Sequence, residues 1–307
     1  MEKRIIKIAT LHFLILFVLL SCFDSANAET VSLHKQSELI LIGTYAQYIE
    51  DSDGDYSFEF IKSKEADNLW QTNKKDNIGF GYTDSVYWVK VSVKNVRNSS
   101  DNYYFEIGYP VLDYIDVYVQ SMGGQSDKIK LGDKLPFNSR PVKHRNFVFP
   151  LKVQPYETLD IYIRAKSSSA VQLPMRIYEE HVFLETGEIH VVGLGFYYGA
   201  MIIMVIYNLF IFAVIREKQF LYYVIYVASL VVFVSSLNGI SFQFLWPEST
   251  WWNDQVIILS LGSTAFFVGL FSLDFLRLAE SMRKTYLFFL TLMILEFITM
   301  VLSIKLS

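Results

Sequence analysis

The stretch VVGLGFYYGAMIIMVIYNLFIFAVI, residues 191–215, contains no charged side chain. A helix rises about 1.5 Å per residue and the hydrocarbon core of a bilayer is about 30 Å thick, so roughly 20 apolar residues cross it. Three more predominantly apolar runs follow, at about 220–237, 256–276 and 286–302. One buried core helix can imitate one such run, but not four in succession. We therefore predict a transmembrane region of four helices within residues 189–307.

The first 28 residues are typical of a secretory signal peptide. A basic start is followed by an apolar stretch and by the A-x-A sequence that ends at Ala28. Cleavage there would make Glu29 the first mature residue. An alternative stays open, because LLSC at residues 19–22 resembles a bacterial lipobox in which Cys22 would be lipidated. In both cases the only cysteine of the chain is unable to form an internal disulfide.

Charge in the short connections predicts the orientation of the helices. The first and third connections are basic, whereas residues 238–255, between the second and third runs, contain neither Lys nor Arg. The basic residues are Arg216, Lys218, Arg277, Arg283 and Lys284. Positive charge accumulates on the cytoplasmic side of a membrane. We therefore predict a multi-pass protein of the bacterial inner membrane whose residues 29–188 lie in the periplasm.

The predicted exported segment, residues 29–188, shows the period-two alternation of strands that bury one face. Apolar residues alternate with polar or aromatic ones in 88–94 and 114–119. Similar alternation is found at 103–107, 147–153, 159–164 and 173–177. Many short strands separated by turns predict an antiparallel β-sandwich of jelly-roll type, followed by an α-helical transmembrane bundle. The acidic segment 179–188 is predicted to be a short connector.

Several long stretches resemble one protein family. In the exported part they are YWVKVSVKN at 87–95, YPVLDYIDVY at 109–118 and LGDKLPFNSRP at 131–141. In the membrane part they are YNLF at 207–210 and SLNGISFQFLWP at 236–247. The chain is similar to bacterial seven-transmembrane receptors with diverse intracellular signalling modules (7TMR-DISM). It resembles their type 2 extracellular domain and the first part of their transmembrane region.

This resemblance implies a jelly-roll sensor domain, similar to carbohydrate-binding modules, that is coupled to a cytoplasmic output module. Members of the family have seven spans and then an output domain, whereas this sequence contains four apolar runs and no such domain. Either the natural product is longer, or this member binds without relaying a signal. The expected partners are an extracytoplasmic small molecule or glycan, the lipid bilayer, and a second copy or a signalling partner. Nothing in the sequence predicts nucleic-acid binding.

A sugar-binding domain is expected to present aromatic rings, because rings stack on a pyranose while nearby polar groups orient it. Such residues occupy the non-core positions of the predicted strands. They are Trp88, Tyr114, Asp116, Tyr118, Tyr162 and Arg164. Ordinary cross-strand aromatics on a partly exposed sheet are the alternative, because β-sheets favour Tyr and Trp in any case. Arg140 is expected to fix a loop by pairing with an acidic residue.

No motif in the exported segment predicts an enzyme, a metal or a cofactor. Its histidines are scattered, and no G-x-S-x-G sequence is present. The sequence DSDGD at 51–55 suggests calcium. However, an EF-hand loop needs Gly at its sixth position and Glu at its twelfth, where this chain has Tyr56 and Lys62. We interpret the stretch as an acidic turn, with a calcium site of another type as the alternative.

Polar residues within the apolar runs are also informative, because the bilayer makes them costly. Glu296 is expected to face other helices, to stay protonated or to find a partner, and Asn208 is expected to hydrogen-bond across helices. Asp274 lies one turn from Arg277 and is expected to form a local pair with it at the membrane interface. The G-x-x-x-G spacing at 195–199 permits close helix approach. A membrane receptor is the preferred function, a membrane-anchored binding protein without relay is the second, and a small transporter component that uses Glu296 is the third.

Overall fold

The computed structural model describes residues 29–34, 39–121, 124 and 126–306. Ala28 of the predicted cleavage site and Cys22 lie outside the described residues, and Glu29 is the first of them. The strands are β1 Val31–Leu33, β2 Leu39–Leu41, β3 Gln47–Asp51, β4 Gln71–Thr72, β5 Ile78–Gly81, β6 Val86–Asn95, β7 Asp101–Ile107, β8 Tyr114–Ser121, β9 Ser126–Leu131, β10 Phe147–Val153, β11 Thr158–Lys166, β12 Val171–Leu173 and β13 Met175–Glu179. The helices are α1 Phe58–Ile61, α2 Glu180–Ile215, α3 Lys218–Leu237, α4 Ile240–Phe244, α5 Thr250–Phe275, α6 Leu278–Ser281 and α7 Arg283–Leu306.

The strands form a sandwich, which confirms the predicted fold class. The large sheet has the order β4-β3-β6-β11-β8-β9, with β1 added parallel to β6. The small sheet has the order β10-β7-β13-β2, and β5 pairs with β12 alongside. The chain crosses from the large sheet to the small one between β6 and β7, β9 and β10, and β11 and β13. This repeated crossing wraps the chain around one core, as in a jelly roll.

The core lies between the two sheets, where the predicted alternation places the apolar side chains. Val89, Val91 and Val93 of β6 are at most 1% exposed. Phe105 and Phe149 are paired across the small sheet, and their ring centroids are 4.9 Å apart. Full burial of one such side chain contributes about 1.5–3 kcal/mol. Aromatic rings and branched aliphatic side chains from both sheets therefore hold the sandwich together.

Four helices are long and apolar enough to cross a membrane: α2, α3, α5 and α7. Helix α2 has 36 residues and begins at Glu180, directly after β13. The predicted connector at 179–188 is therefore mostly the first part of this helix. An acidic residue in the first turn, here Glu180, interacts favourably with the helix dipole. The sandwich thus continues into the membrane region without an intervening loop.

A different glycine pair from the predicted one makes a close contact between helices. A Cβ atom built on Gly195 or Gly199 would meet nothing within 4 Å. In contrast, a Cβ on Gly262 or Gly269 of α5 would lie 3.0 Å or 2.9 Å from the Sδ of Met300 or Met293 of α7. Two glycines of α5, seven residues apart, therefore pack against two methionines of α7 that are also seven residues apart. The G-x-x-x-G sequence at 195–199 makes no close helix contact among the described residues.

Candidate functional site

The predicted ligand-binding residues share one face of the large sheet. In the register of the strands, Arg164 of β11 lies between Trp88 of β6 and Asp116 of β8. Tyr162 lies opposite Tyr118 in the next row. The strand register therefore places these residues side by side on one face, as the alternation in the sequence predicted.

This face is covered, however, by the segment between β3 and β4. Trp88 is 1% exposed and Tyr162 is 5% exposed, because both pack in a second small core. The covering side chains are Tyr56, Phe58, Phe60, Ile61, Ala66 and Trp70. The rings of Phe58 and Tyr118 are stacked with their centroids 4.0 Å apart. The expectation that Trp88 and Tyr162 present open rings to a sugar is corrected here, since they are packing residues.

The other predicted residues of this face have structural partners or lie at its margin. Arg164 donates from Nη2 to the carbonyl oxygen of Gly54 at 3.3 Å. Asp116 forms an ion pair with Lys128 at 3.1 Å. Tyr114 is 51% exposed at the start of β8. Of the six residues, Tyr114 is thus the one that offers an exposed ring to solvent.

The acidic stretch 51–55 forms a closed turn. The Asp51 carboxylate is buried and accepts hydrogen bonds from the backbone N–H groups of Gly54, Asp55 and Tyr56, at 2.8, 3.1 and 3.0 Å. Within the described residues, no group of three or more His, Cys, Asp or Glu side chains is arranged to hold a metal ion. The carboxylate at the centre of the turn is engaged by the backbone, as an acidic turn requires.

A second site, which the sequence did not predict, joins the sandwich to the helices. We call it the junction. It is formed by the loop between β9 and β10, residues 132–146, and by the connection between α3 and α5, residues 238–249, with the first turn of α5. The backbone N–H of Phe137 donates to the carbonyl oxygen of Pro247 at 2.8 Å.

Arg140 lies at the centre of the junction. Its guanidinium carbon is 4.6 Å from the ring centroid of Phe137, 4.5 Å from that of Phe147 and 5.6 Å from that of Phe242, which belongs to α4. Its Nη1 donates to the carbonyl oxygens of His144 and Arg145 at 3.0 and 2.8 Å. Arg140 does fix a loop, but through backbone carbonyls and aromatic rings rather than through the expected carboxylate. Burial lowers the pKa of Arg140 to about 10.

Polar side chains link the two segments around this ring cluster. Lys134 forms an ion pair with Asp254 of α5. Asn138 donates a hydrogen bond to the carboxylate of Glu248. The side-chain amide of Gln243 donates to the carbonyl oxygen of Lys143 at 3.4 Å. The junction therefore combines a central cluster of aromatic rings around Arg140 with a polar margin, and interfaces are commonly enriched in aromatic residues and arginine at the centre and polar at the rim.

Close backbone approach at the junction requires a glycine at position 239. Gly239 has a φ of 72°. A Cβ atom there would lie 2.8 Å from the carbonyl oxygen of Arg145 and 2.9 Å from the Cβ of Pro110. Any other residue would push the α3–α5 connection away from the sandwich.

Asp133 is a buried acid within the junction loop. It is 3% exposed, and its Oδ1 atom has no hydrogen-bond partner among the described residues. Burial, together with the nearby carboxylates of Asp113 and Asp254, raises the pKa of Asp133 to about 8, although Lys134 acts in the opposite direction. The junction thus contains a carboxyl group that holds its proton near neutral pH.

The start of α2 is a second point of attachment. Phe183 packs against Tyr104 of β7 and His144 of the junction loop, with ring centroids 4.7 and 5.4 Å apart. Glu179, which precedes the helix, forms an ion pair with Arg97 at 3.1 Å. Nearby, the buried Glu106 accepts a hydrogen bond from the Tyr178 hydroxyl at 2.9 Å. Burial, followed by the charge of Glu106, raises the pKa of Tyr178 to about 12.

The intramembrane polar residues are not gathered into one site by the contacts described. The Asn208 side chain donates to the carbonyl oxygen of Met204 in its own helix at 2.9 Å, which corrects the expected bond to another helix. Asp274 is exposed, and its carbonyl oxygen accepts from the backbone N–H of Arg277. Glu296 is partly buried in α7. Its role stays a prediction.

Comparison with family models gives two matches, one to the sandwich and one to the helical region. Residues 43–179 match the model described as 7TMR-DISM extracellular 2. Residues 191–306 match the model described as 7TM diverse intracellular signalling. Comparison with curated proteins gives no match.

Two solved structures illustrate a weak likeness. CBM35 from Cellvibrio japonicus Abf62 is 9% identical, with 45% of this chain and 89% of that one covered and a TM-score of 0.22. An exo-β-1,3-galactanase from Phanerochaete chrysosporium, bound to β-1,3-galactotriose, is 15% identical with a TM-score of 0.19. In the latter comparison 33% of this chain is covered, and the match spans a quarter (25%) of the galactanase chain. At these TM-scores neither likeness carries an argument about fold or ligand.

Proposed function

Because the chain belongs to the 7TMR-DISM family in both its sandwich and its membrane region, we propose that it is a membrane sensor that relays ligand binding through the junction. In this proposal a small molecule or glycan binds the sandwich in the bacterial periplasm. The response passes to the helices of the inner membrane. The basic connections at the end of the bundle opposite the junction support this orientation.

The observation that carries the proposal is the double attachment of the sandwich to the helices. At the junction, the sandwich contacts the α3–α5 connection. The first turn of α2 is attached to the sandwich by Phe183 and by the Arg97–Glu179 ion pair. His144 contributes to both, since its carbonyl oxygen accepts from Arg140 and its ring contacts Phe183. A shift of the junction loop would therefore act on two membrane helices together.

Such a relay requires two arrangements of the junction whose populations the ligand changes. The protonated Asp133 and the polar margin of the junction supply contacts that can differ between two arrangements. A ligand shifts the equilibrium only to the extent that it binds one arrangement more tightly. The sandwich core, by contrast, is closely packed and is expected to move as a unit.

The proposal is tested with the full chain in lipid nanodiscs. A panel of soluble mono- and oligosaccharides is screened by thermal unfolding, and hydrogen exchange is then measured with any compound that stabilises the protein. We expect a ligand to change exchange both in the sandwich and in residues 236–247. In the Gly239→Ala variant the ligand should still bind, but the change in residues 236–247 should disappear.

Two outcomes would count against a relay. Binding that leaves exchange in the membrane region unchanged would identify an anchored binding protein without signal transfer. Ion flux in proteoliposomes that is lost in Glu296→Gln would favour a transporter component instead.

A further inference from the structure

A polar cleft of about 820 Å³ opens at the end of the helix bundle opposite the sandwich. The sandwich contacts the α3–α5 connection, so the α2–α3 and α5–α7 connections must lie at the other end of these helices. Both connections line the cleft. Its charged lining residues are Arg216, Glu217, Lys218, Asp274, Arg277 and Glu280.

The backbone gives a first reason to assign a function to this cleft. Arg216 and Arg277, which follow α2 and α5, have φ values of 64° and 48°, in the left-handed region. Glycine is the usual residue at such a position because other residues are strained there. Two separate helix ends thus retain a strained arginine, and both arginines line the same cleft. Backbone strain of this kind is concentrated at functional sites, although Tyr156 in an exposed turn of the sandwich also has a positive φ of 59°.

The balance of charge indicates the chemistry of the ligand. Three cationic side chains and three carboxylates line the cleft. A ligand with negative charge alone would be repelled by Asp274 and Glu280. A ligand that carries both a phosphate and an ammonium group would satisfy both sets, because guanidinium groups bind phosphate and carboxylates accept from ammonium.

The location indicates where such a ligand comes from. The cleft lies where transmembrane helices end, at the level of the lipid headgroups. Its lining also includes Leu273 and Leu290, and two tyrosines, Tyr222 and Tyr286, residues that favour the membrane interface. Basic residues in pockets between transmembrane helices bind the phosphate groups of lipid headgroups. A cleft of this volume is in the range of small-molecule sites.

We infer that this cleft binds the headgroup of a zwitterionic phospholipid of the phosphatidylethanolamine type. The phosphate is held by Arg216 and Arg277, and the ammonium group by Asp274 and Glu280. Arg216 is oriented for this role, because its Nε donates to the carbonyl oxygen of Ala213 at 3.1 Å and four further N–H donors remain on the guanidinium group. The inference does not depend on the proposed sensor function.

Lipid retention by the full chain tests the inference. The protein is extracted in mild detergent with phosphatidylethanolamine, phosphatidylglycerol or phosphatidylcholine, and bound lipid is counted by native mass spectrometry. We expect phosphatidylethanolamine to be retained about tenfold more than phosphatidylglycerol, which corresponds to a difference of one decade in Kd. Arg216→Gly with Arg277→Gly should abolish this retention. Asp274→Asn with Glu280→Gln should shift the preference towards phosphatidylglycerol.

Matched controls separate binding from folding. The change to glycine relieves backbone strain, so the arginine variant should unfold at the same temperature as the wild type or higher. Arg283→Gln with Lys284→Gln removes nearby charges that do not line the cleft and should leave retention unchanged. Equal retention of the three lipids, or wild-type retention in both cleft variants, would overturn the inference. Protection by soluble phosphoethanolamine with no lipid preference would also overturn it, because the source would then be a soluble compound.

Discussion

At the scale of single residues, Arg140 determines whether the junction holds. Its guanidinium group is enclosed by three phenylalanine rings and donates to two backbone carbonyls. A desolvated cation–π contact contributes about 2 kcal/mol, and a hydrogen bond to a charged group about 1.5–3 kcal/mol. Much of this is offset by the cost of burying the charge.

The first prediction concerns this side chain. We expect Arg140→Ala to reduce the free energy of unfolding by about 2–4 kcal/mol, because it leaves two partly buried carbonyls unpaired and a cavity between rings. Thermal unfolding in nanodiscs measures the change. Lys152→Ala, on an exposed part of β10, is the control and should be neutral. A neutral Arg140→Ala would mean that the ring cluster is not a stabilising contact.

The second prediction concerns Asp133. In the folded state its pKa is raised from 3.8 to about 8, so between these pH values the folded protein binds a proton that the unfolded chain releases. The contribution of this proton to the free energy of unfolding is therefore fully present below about pH 4. It is lost as the pH rises towards 8, by up to about 1.4 kcal/mol per pH unit. The Asp133→Asn variant should lose this slope and be the more stable protein at pH 8.

Unfolding temperature is measured from pH 5 to 9 for the wild type, Asp133→Asn and the exposed-site control Asp127→Asn. The control should keep the wild-type slope. An unchanged slope in Asp133→Asn would assign the pH dependence to other groups.

At the scale of elements, Gly239 sets the distance between the α3–α5 connection and the sandwich. We expect Gly239→Ala to open the junction, because the new Cβ meets the Arg145 carbonyl in addition to the strain of a positive φ. Gly81→Ala is a matched control, since Gly81 has a φ of 74° and a Cβ there meets nothing within 4 Å. Hydrogen exchange should rise in residues 132–146 and 238–249 for Gly239→Ala alone. Equal effects in both variants would mean that backbone strain, not contact, explains the result.

The fourth prediction concerns the packing of α5 against α7. We expect Gly269→Val to lower the unfolding temperature, because the added atoms meet the Met293 side chain. Gly195→Val in α2 should be neutral in the monomer, since its Cβ would lie in open space. The unfolding temperatures of the two variants are compared in nanodiscs that each contain a single copy of the protein. Sensitivity at Gly195 instead would indicate a packing contact that the single chain does not make.

Much of the architecture follows from periodicity, because a strand alternates and a membrane helix needs a long apolar run. Alternation placed Trp88 and Tyr162 on the outer face correctly, but it does not reveal that Phe58 and Trp70, from another part of the chain, cover that face. The sequence did not predict the start of α2, because the acidic stretch 179–188 is compatible both with a connector and with the first turns of a helix. The contact between Phe137 and Pro247 joins positions far apart in sequence, and no local pattern encodes it. Both nevertheless lie within the stretches 131–141 and 236–247 that carried the resemblance to the family.

At the scale of the whole molecule, the junction and the basic connections lie at opposite ends of the helices. The fifth prediction follows from this geometry and from the positive-inside rule. In a Cys22→Ser background, Ser249→Cys should react with a membrane-impermeant maleimide in intact spheroplasts, whereas Lys284→Cys should react only after lysis. The reverse pattern would invert the proposed orientation.

Helix α2 also has a mechanical consequence. It is a single helix of 36 residues, about 54 Å long, whose first turn is attached to the sandwich by Phe183 and by the Arg97–Glu179 ion pair. If a helix of this length moves as a rigid body, a tilt of about 3° at its attached end displaces the other end by about 3 Å. That far end carries Arg216, at the rim of the polar cleft. A rotation of the sandwich too small to disturb its own packing would therefore reach the opposite face of the membrane as a movement the size of an atom.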